Sequence, residues 1–341
     1  MKVMEIAHDW GLHRLVPGSR PDHGPPGFGQ VLVHRQASSI NYRDYVMANG
    51  GYGRRGGRLP MIPVSDGAGQ IVALGPGVTG FSVGDLVCPN FAQDWISGSL
   101  RDEFWSSMLG GITDGVLQET MLLPATGVVK VPSHLEPLEA ATLPCAALTA
   151  WNAITSAGVK AGSTVLTQGT GGVSLFALQF AKMFGAAVIV TSSNDAKLDK
   201  ARRLGADEII NYTREPRWES RALEIAGQDG IDLVIDLAGS LAQSVKAVRT
   251  AGTVATIGVL AGPSATVPLG QIVTRAVRLQ GVTAGSRQSF EEMVRAIDRH
   301  RLRPVLSVAG NSMKDAPRAI AAITEGKHFG KLCIHLRSPP P

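Results

Sequence analysis

The chain has 341 residues, 44% of them hydrophobic and 18% charged, with a net charge of +5 at pH 7. That length exceeds one ordinary core and predicts two domains, and the composition excludes a disordered chain. The absence of any run of about 18 apolar residues predicts no membrane span. Three widely spaced cysteines (Cys88, Cys145 and Cys333) exclude a disulfide framework and a four-cysteine zinc site, and suit a reducing cytoplasm.

Residues 1–125 read as β-rich. Short alternating segments such as GQVLVHRQAS, AGQIVALG and GDLVCPNF are separated by Gly/Pro turns. The loop GGYGRRGGRLP gathers Arg54, Arg55 and Arg58, a solvated basic loop. No aromatic-interleaved basic patch predicts nucleic-acid binding. LQETMLLPATGVVKVP reads as a strand pair, and a helical region begins in SHLEPLEAATLPCAALTAWNAI. From residue 163 strands alternate with helices of about a dozen residues, which predicts a doubly wound parallel sheet. The strands are STVLTQG, AVIVTSS, EIINY, IDLVIDLAG, TVATIGVL and AVRLQGVTAG. The helices are SLFALQFAKMFG, DAKLDKARRLG, ESRALEIAG and LAQSVKAVRTAG. The tail returns to SFEEMVRAIDRH, PVLSV, DAPRAIAAITEG and GKLCIHL.

Gly169, Thr170, Gly171, Gly172 and Val173 fall between the first of these strands and its helix. Glycines there permit a tight turn and close approach of backbone to a pyrophosphate, on which the helix N-terminus directs N–H groups and a positive dipole end. Ser174 stands where the dinucleotide fingerprint has its third glycine. About 20 residues on, an NAD site usually carries a carboxylate for the ribose. This chain has Thr191, Ser192, Ser193 and Asn194, with Lys197 nearby, and Asp195 reads as a first-turn residue of the next helix. Hydroxyls and a lysine accept a 2′-phosphate that a carboxylate would repel, so the local reading is NADP.

Taken end to end, SSINYRDYVMANGGYG, IPVSDGAGQIVALGPGVTGFSVGDLV, ATLPCAALTAWNAI, QGTGGVSLFALQFAK, ARRLGADEIINY and HFGKLCI resemble the medium-chain dehydrogenase/reductase superfamily, and within it the zinc-independent, quinone-oxidoreductase-like members. The resemblance implies an α/β chain with a GroES-like β-rich catalytic domain and a Rossmann dinucleotide-binding domain. The expected division is 1–127 catalytic, 128–286 dinucleotide-binding and 287–341 returning to the catalytic domain. It also implies a homodimer and a 2′-phosphate site of Ser193, Lys197 and Tyr212, with Lys331 as a basic contact from the tail. Thr149 would face the nicotinamide, and Gly258, Val259, Gly285 and Ser286 would supply contacts near its amide.

Zinc-containing relatives take ligands from C-x-x-D, from G-H-E and from a cysteine four residues before T-G/A-aromatic. Here Asn41 stands in the first place, Val64-Ser65-Asp66 in the second, and Cys145 in the third, before Thr149-Ala150-Trp151. One thiolate does not build a site that needs three or four protein ligands, so no metal site is expected. Polar contacts to the substrate are then expected from Asn41, Tyr45 and Tyr52, although Tyr45 lies one residue earlier than the tyrosine common in quinone oxidoreductases. No side chain has the spacing signature of a general acid. The expected function is NADPH-dependent, zinc-independent hydride transfer with a small-molecule carbonyl or alcohol, a quinone or an activated enone. The alternatives are a dedicated quinone or enoyl reductase and a non-catalytic dinucleotide- or RNA-binding relative.

Overall fold

The computed structural model describes residues 1–258, 260, 262 and 264–335, the side chains of Arg54 and Arg55 excepted. The chain divides into two compact units: Met1–Leu148 with the segment from Ala284 onward, and Thr149–Thr283.

The first unit is built on a sheet of seven strands. Its path runs Leu306–Gly310, Lys331–His335, Gln30–Ile40, Asp66–Leu74, Leu86–Pro89 and Val128–Lys130, with Thr120–Pro124 also pairing Gln30–Ile40. The central strand Gln30–Ile40 alternates half-buried and buried side chains, then ends in four consecutive buried residues. Alternation marks a strand with one wet face, and the fully buried end marks cover on both. That end carries the site. Its partners on either side are the tail strand, in register Leu332 to Ile40, and the strand from Asp66, in register Ser39 to Asp66. Val31, Val33, Ile40, Ile71, Val87 and Ile334 lie in the core beneath, and burying each such side chain stabilises by roughly 1.5–3 kcal/mol.

The second unit is a six-stranded, wholly parallel sheet. Its order is Glu208–Asn211, Ala187–Ser192, Thr164–Gln168, Ile231–Asp236, Val248–Thr256 and Arg278–Gly281. The first strand in sequence lies at the centre and the order reverses beside it. That is the doubly wound arrangement, with its ligand crevice at the C-terminal strand ends around the reversal. Leu166, Ile189, Ile210, Val234 and Val254 form the buried layer, on which Trp218 and Val245 pack.

Three expectations differ in detail. LQETMLLPATGVVKVP does give two strands, but they pair with different neighbours rather than with each other. The helix read over LAQSVKAVRTAG stops at Ala247, because Val248 begins the next strand, pairing with Ile231. The boundary expected after residue 127 falls after Leu148: Val128–Lys130 pairs antiparallel with Leu86–Pro89 of the first sheet. At the other end, Gly285 and Ser286 belong to the first unit. Among the described residues, no helix is long and apolar enough to cross a membrane.

Candidate active site and dinucleotide site

The register of the first sheet brings three sequence-distant segments together. Pairing of Leu332 with Ile40 sets Lys331 opposite Asn41, and Asp66 lies across the central strand. Lys331 is 3% exposed, and its Nζ donates to Ile40 O at 2.7 Å and to Asn41 Oδ1 at 2.5 Å. Asn41 precedes the helix Tyr42–Ala48. Its N–H donates to Asp44 Oδ2 at 2.7 Å, and its carbonyl accepts the Asp44 N–H at 3.0 Å. Asp66, fully buried, accepts from Ser65 Oγ at 2.8 Å and from the Cys145 N–H at 3.2 Å.

Burial pushes the Asp66 carboxyl above its ordinary range, opposed first by the Lys331 ammonium and then by Asn41 and Ser65. Burial likewise raises Asp44 to about 6, opposed by Arg43 and Lys331 and reinforced by Asp66. An acid whose folded pKa lies above its unfolded value of 3.8 loses stability as pH rises between the two. At 1.36 kcal/mol per pH unit the interval is worth about 3 kcal/mol. Asp44→Asn is therefore expected to gain roughly 2–2.5 kcal/mol on the wild type between pH 4 and pH 7, read by urea unfolding at both. Parallel behaviour of the two proteins would contradict this.

The backbone before Ser65 carries strain. Val64 is buried and has φ of 71°, a conformation that is an outlier for a β-branched residue. It stands where the metal-binding motif of zinc-containing relatives has glycine. Gly115 permits the close packing there, since a Cβ on it would lie 2.2 Å from the Val64 carbonyl oxygen.

Zinc takes tetrahedral thiolate, imidazole and carboxylate donors. The donors here do not fit it. Asn41 and Ser65 replace a cysteine and a histidine, and an ammonium already faces Asn41. Burial, helped by Asp66, pushes the Cys145 thiol up to about 12. Cys145 packs instead beside the buried cluster of Phe91, Trp95, Phe104 and Met108. Among the described residues no three His, Cys, Asp or Glu side chains could hold a metal ion.

The two tyrosines are placed differently. Tyr45 packs on the core of the first unit and its ring lies 6.1 Å from that of Tyr42, which is the geometry of a packing residue. Tyr52 is 37% exposed. Arg43 lies 6.0 Å from the Tyr52 ring and 4.7 Å from that of Phe91, and donates to Leu109 O at 3.2 Å. Burial raises the Tyr52 hydroxyl pKa, and Arg43 opposes it. Only the fold brings Phe91 and Tyr52 to the Arg43 guanidinium.

In the second unit, Gly169 has φ of 80° and Gly171 starts the helix Gly172–Met183, whose N-terminus has no side-chain cap. A Cβ on Gly171 would meet nothing within 4 Å. Uncapped N–H groups facing open space fit a pyrophosphate. Thr170 and Ser174 are buried, and Ser174 Oγ donates to Gln168 O at 2.7 Å. At the neighbouring strand ends, the Tyr212 N–H donates to Ser192 O at 3.1 Å, so Ser192, Ser193 and Tyr212 lie together. Lys197 is in the first turn of the helix Asp195–Arg203, capped by Asn194. Asp195 is held by Asn211 and Arg214.

The other expected cofactor contacts lie on separate elements. Thr149 is buried in the helix Leu148–Ser156. Gly258 follows the strand Val248–Thr256, where a Cβ would come 2.1 Å from Leu237 O, so packing alone demands glycine. Ser286 caps the helix Arg287–His300. Val259 lies outside the described residues. Lys331, expected at the 2′-phosphate, instead has its ammonium on Asn41 and Ile40.

Known proteins resemble this chain over most of its length. The family described as alcohol dehydrogenase GroES-like domain matches residues 27–133, and that described as zinc-binding dehydrogenase matches residues 172–299. A zinc-type alcohol dehydrogenase-like protein of Schizosaccharomyces pombe is 42% identical over 317 residues, covering 90% of this chain and 91% of its own. A solved structure of a candidate alcohol dehydrogenase from Sinorhizobium meliloti 1021 superposes with TM-score 0.89 at 38% identity, covering 98% of both chains. An NAD-dependent alcohol dehydrogenase superposes with TM-score 0.88 at 29% identity, covering 99% of this chain and all of its own.

Proposed function

The chain belongs to the medium-chain dehydrogenase/reductase superfamily as an alcohol dehydrogenase-like, NAD(P)-dependent oxidoreductase, and from that premise we propose that it uses NADPH, works without zinc and reduces a carbonyl compound. The observation that carries the reading is the donor set. Asn41, Ser65 and a protonated Cys145 occupy the positions from which zinc-dependent relatives draw ligands. The reverse alcohol oxidation is the same step run backwards, and quinones and activated enones are accepted by the same logic. We read the working form as a homodimer in a reducing cytoplasm.

Bound NADPH supplies the hydride. The chain's part is to hold the dinucleotide and stabilise charge that develops on the substrate oxygen. Gly169, Thr170, Gly171, Gly172 and Val173 would carry the pyrophosphate. Ser192, Ser193, Lys197 and Tyr212 would carry the 2′-phosphate, supported by the engagement of Asp195 with Asn211 and Arg214. Asn41 and Tyr52 would donate to the substrate oxygen.

The test is a panel of aldehydes, ketones, enones and quinones followed by nicotinamide absorbance with NADPH and with NADH. Turnover of aldehydes or ketones with NADPH is expected. Oxidation of NADPH by no acceptor in the panel would overturn the catalytic reading.

A further inference from the structure

In the second unit one strand pairing is cut short. Thr164–Gln168 and Ile231–Asp236 pair from Leu233 with Val165 to Ile235 with Thr167, and the ladder ends there, one residue before each strand does. Their other neighbours stay paired to the end, Gln168 with Thr191 and Asp236 with Thr256. The two strands flank the point where the sheet order reverses, so the gap between their ends is where a doubly wound sheet has its ligand crevice.

A buried side-chain network spans that gap. Gln168 is 4% exposed and Asp236 fully buried. Gln168 Nε2 donates to Ser240 Oγ at 3.0 Å and to Ser244 Oγ at 2.8 Å, and its Oε1 accepts the Ala238 N–H at 3.1 Å. Asp236 anchors the far side. Its Oδ2 accepts from Ser244 Oγ at 2.7 Å and its Oδ1 from the Gly239 N–H at 2.9 Å. Burial raises the Asp236 carboxyl pKa, opposed by Ser244, Gly239 and Gln168. The Gln168 main chain is tied to the other side of the crevice: its carbonyl accepts from Ser174 Oγ at 2.7 Å, on the helix Gly172–Met183. Ser174 stands at the third fingerprint position, where glycine could make no such tie. Both amide N–H groups and the amide oxygen of Gln168 are committed within the protein, so it acts on a ligand only through what it holds.

We propose that Gln168 is the positioning residue of the dinucleotide site: with Asp236 and Ser244 it braces the loop 238–240 against the glycine turn 169–172 and fixes the width of the crevice before the dinucleotide enters. The inference rests on the placement of the pyrophosphate at that turn. A site already held in its bound geometry loses less free energy to ordering, and a buried polar network with every member satisfied holds one geometry. The pyrophosphate is common to both dinucleotides, so the brace acts on NADPH and NADH alike.

The experiment titrates wild type, Gln168→Leu, Gln168→Glu and the double variant Gln168→Glu/Asp236→Asn with NADPH and with NADH by calorimetry, and records the Tm of each without dinucleotide. Gln168→Leu should weaken both dinucleotides by roughly 10-fold and leave their ratio unchanged. Gln168→Glu sets two carboxylates against each other and should lose at least as much. The double variant exchanges amide and carboxylate across Ser244, so that each hydrogen bond can form again, and should recover to within about three-fold of wild type. Val254→Ala truncates the core of the same sheet outside the network; it should lower Tm and leave both affinities unchanged. Wild-type affinities in Gln168→Leu, a double variant no better than Gln168→Glu, or an equal loss in Val254→Ala would each overturn the proposal. Should Gln168→Leu fail to fold, Ser244→Ala decides: a loss of about 5-fold for both dinucleotides is expected, and affinities within about two-fold of wild type overturn it. Gly171→Val fills the open space beside the turn and should abolish binding of both; unchanged binding would instead refute the pyrophosphate placement on which the brace stands.

Discussion

Replacing Lys197 by alanine is expected to weaken NADPH binding by roughly 10- to 100-fold and to leave NADH within about two-fold, because a charged hydrogen bond contributes about 1.5–3 kcal/mol. The two dinucleotides differ only in the 2′-phosphate, so the ratio isolates that contact. Lys197 stands in the first turn of the helix Asp195–Arg203, where the dipole also favours an anion. Partial burial and the neighbouring Lys200 lower its pKa, which marks a locally positive surface. The carboxylate that would repel a phosphate, Asp195, accepts from Asn211 and forms an ion pair with Arg214. Arg214→Ala should release it and erode NADPH preference in the same titration. Equal losses of NADPH and NADH in Lys197→Ala would mean that the 2′-phosphate is bound elsewhere.

The second unit was legible almost strand by strand. Its central strands Thr164–Gln168, Ala187–Ser192 and Ile231–Asp236 are short, mostly buried runs separated by helical segments, so local pattern and tertiary role coincide. The dinucleotide loop was legible for the same reason: the glycines and the helix they precede are adjacent in sequence. The first unit was less so. Its strands pair across long separations, and nothing within VTGFSVGDLV or GVVKVP states that Leu86–Pro89 and Val128–Lys130 are neighbours. That is why the domain boundary was read about twenty residues early.

At the site, composition told what was missing and register told what took its place. Asn41 and Ser65 could be read as substitutions for metal ligands from motif position alone. The partner of Asn41 could not, because Lys331 is 290 residues away and reaches it only through the pairing of Leu332 with Ile40. The same tail lysine, read by resemblance as a phosphate contact, is buried against the central strand. Val64 is similar: a β-branched residue gives no sign in the sequence of the left-handed backbone it adopts.

We propose that this site operates with an amide and an ammonium where zinc-dependent relatives employ a metal. The most direct test is metal analysis of the purified protein together with NADPH-dependent turnover before and after exhaustive chelation. The absence, among the described residues, of three competent ligands predicts far less than one zinc per chain and a turnover rate that chelation leaves unchanged. One zinc per chain, with activity lost on chelation and restored by added zinc, would contradict it.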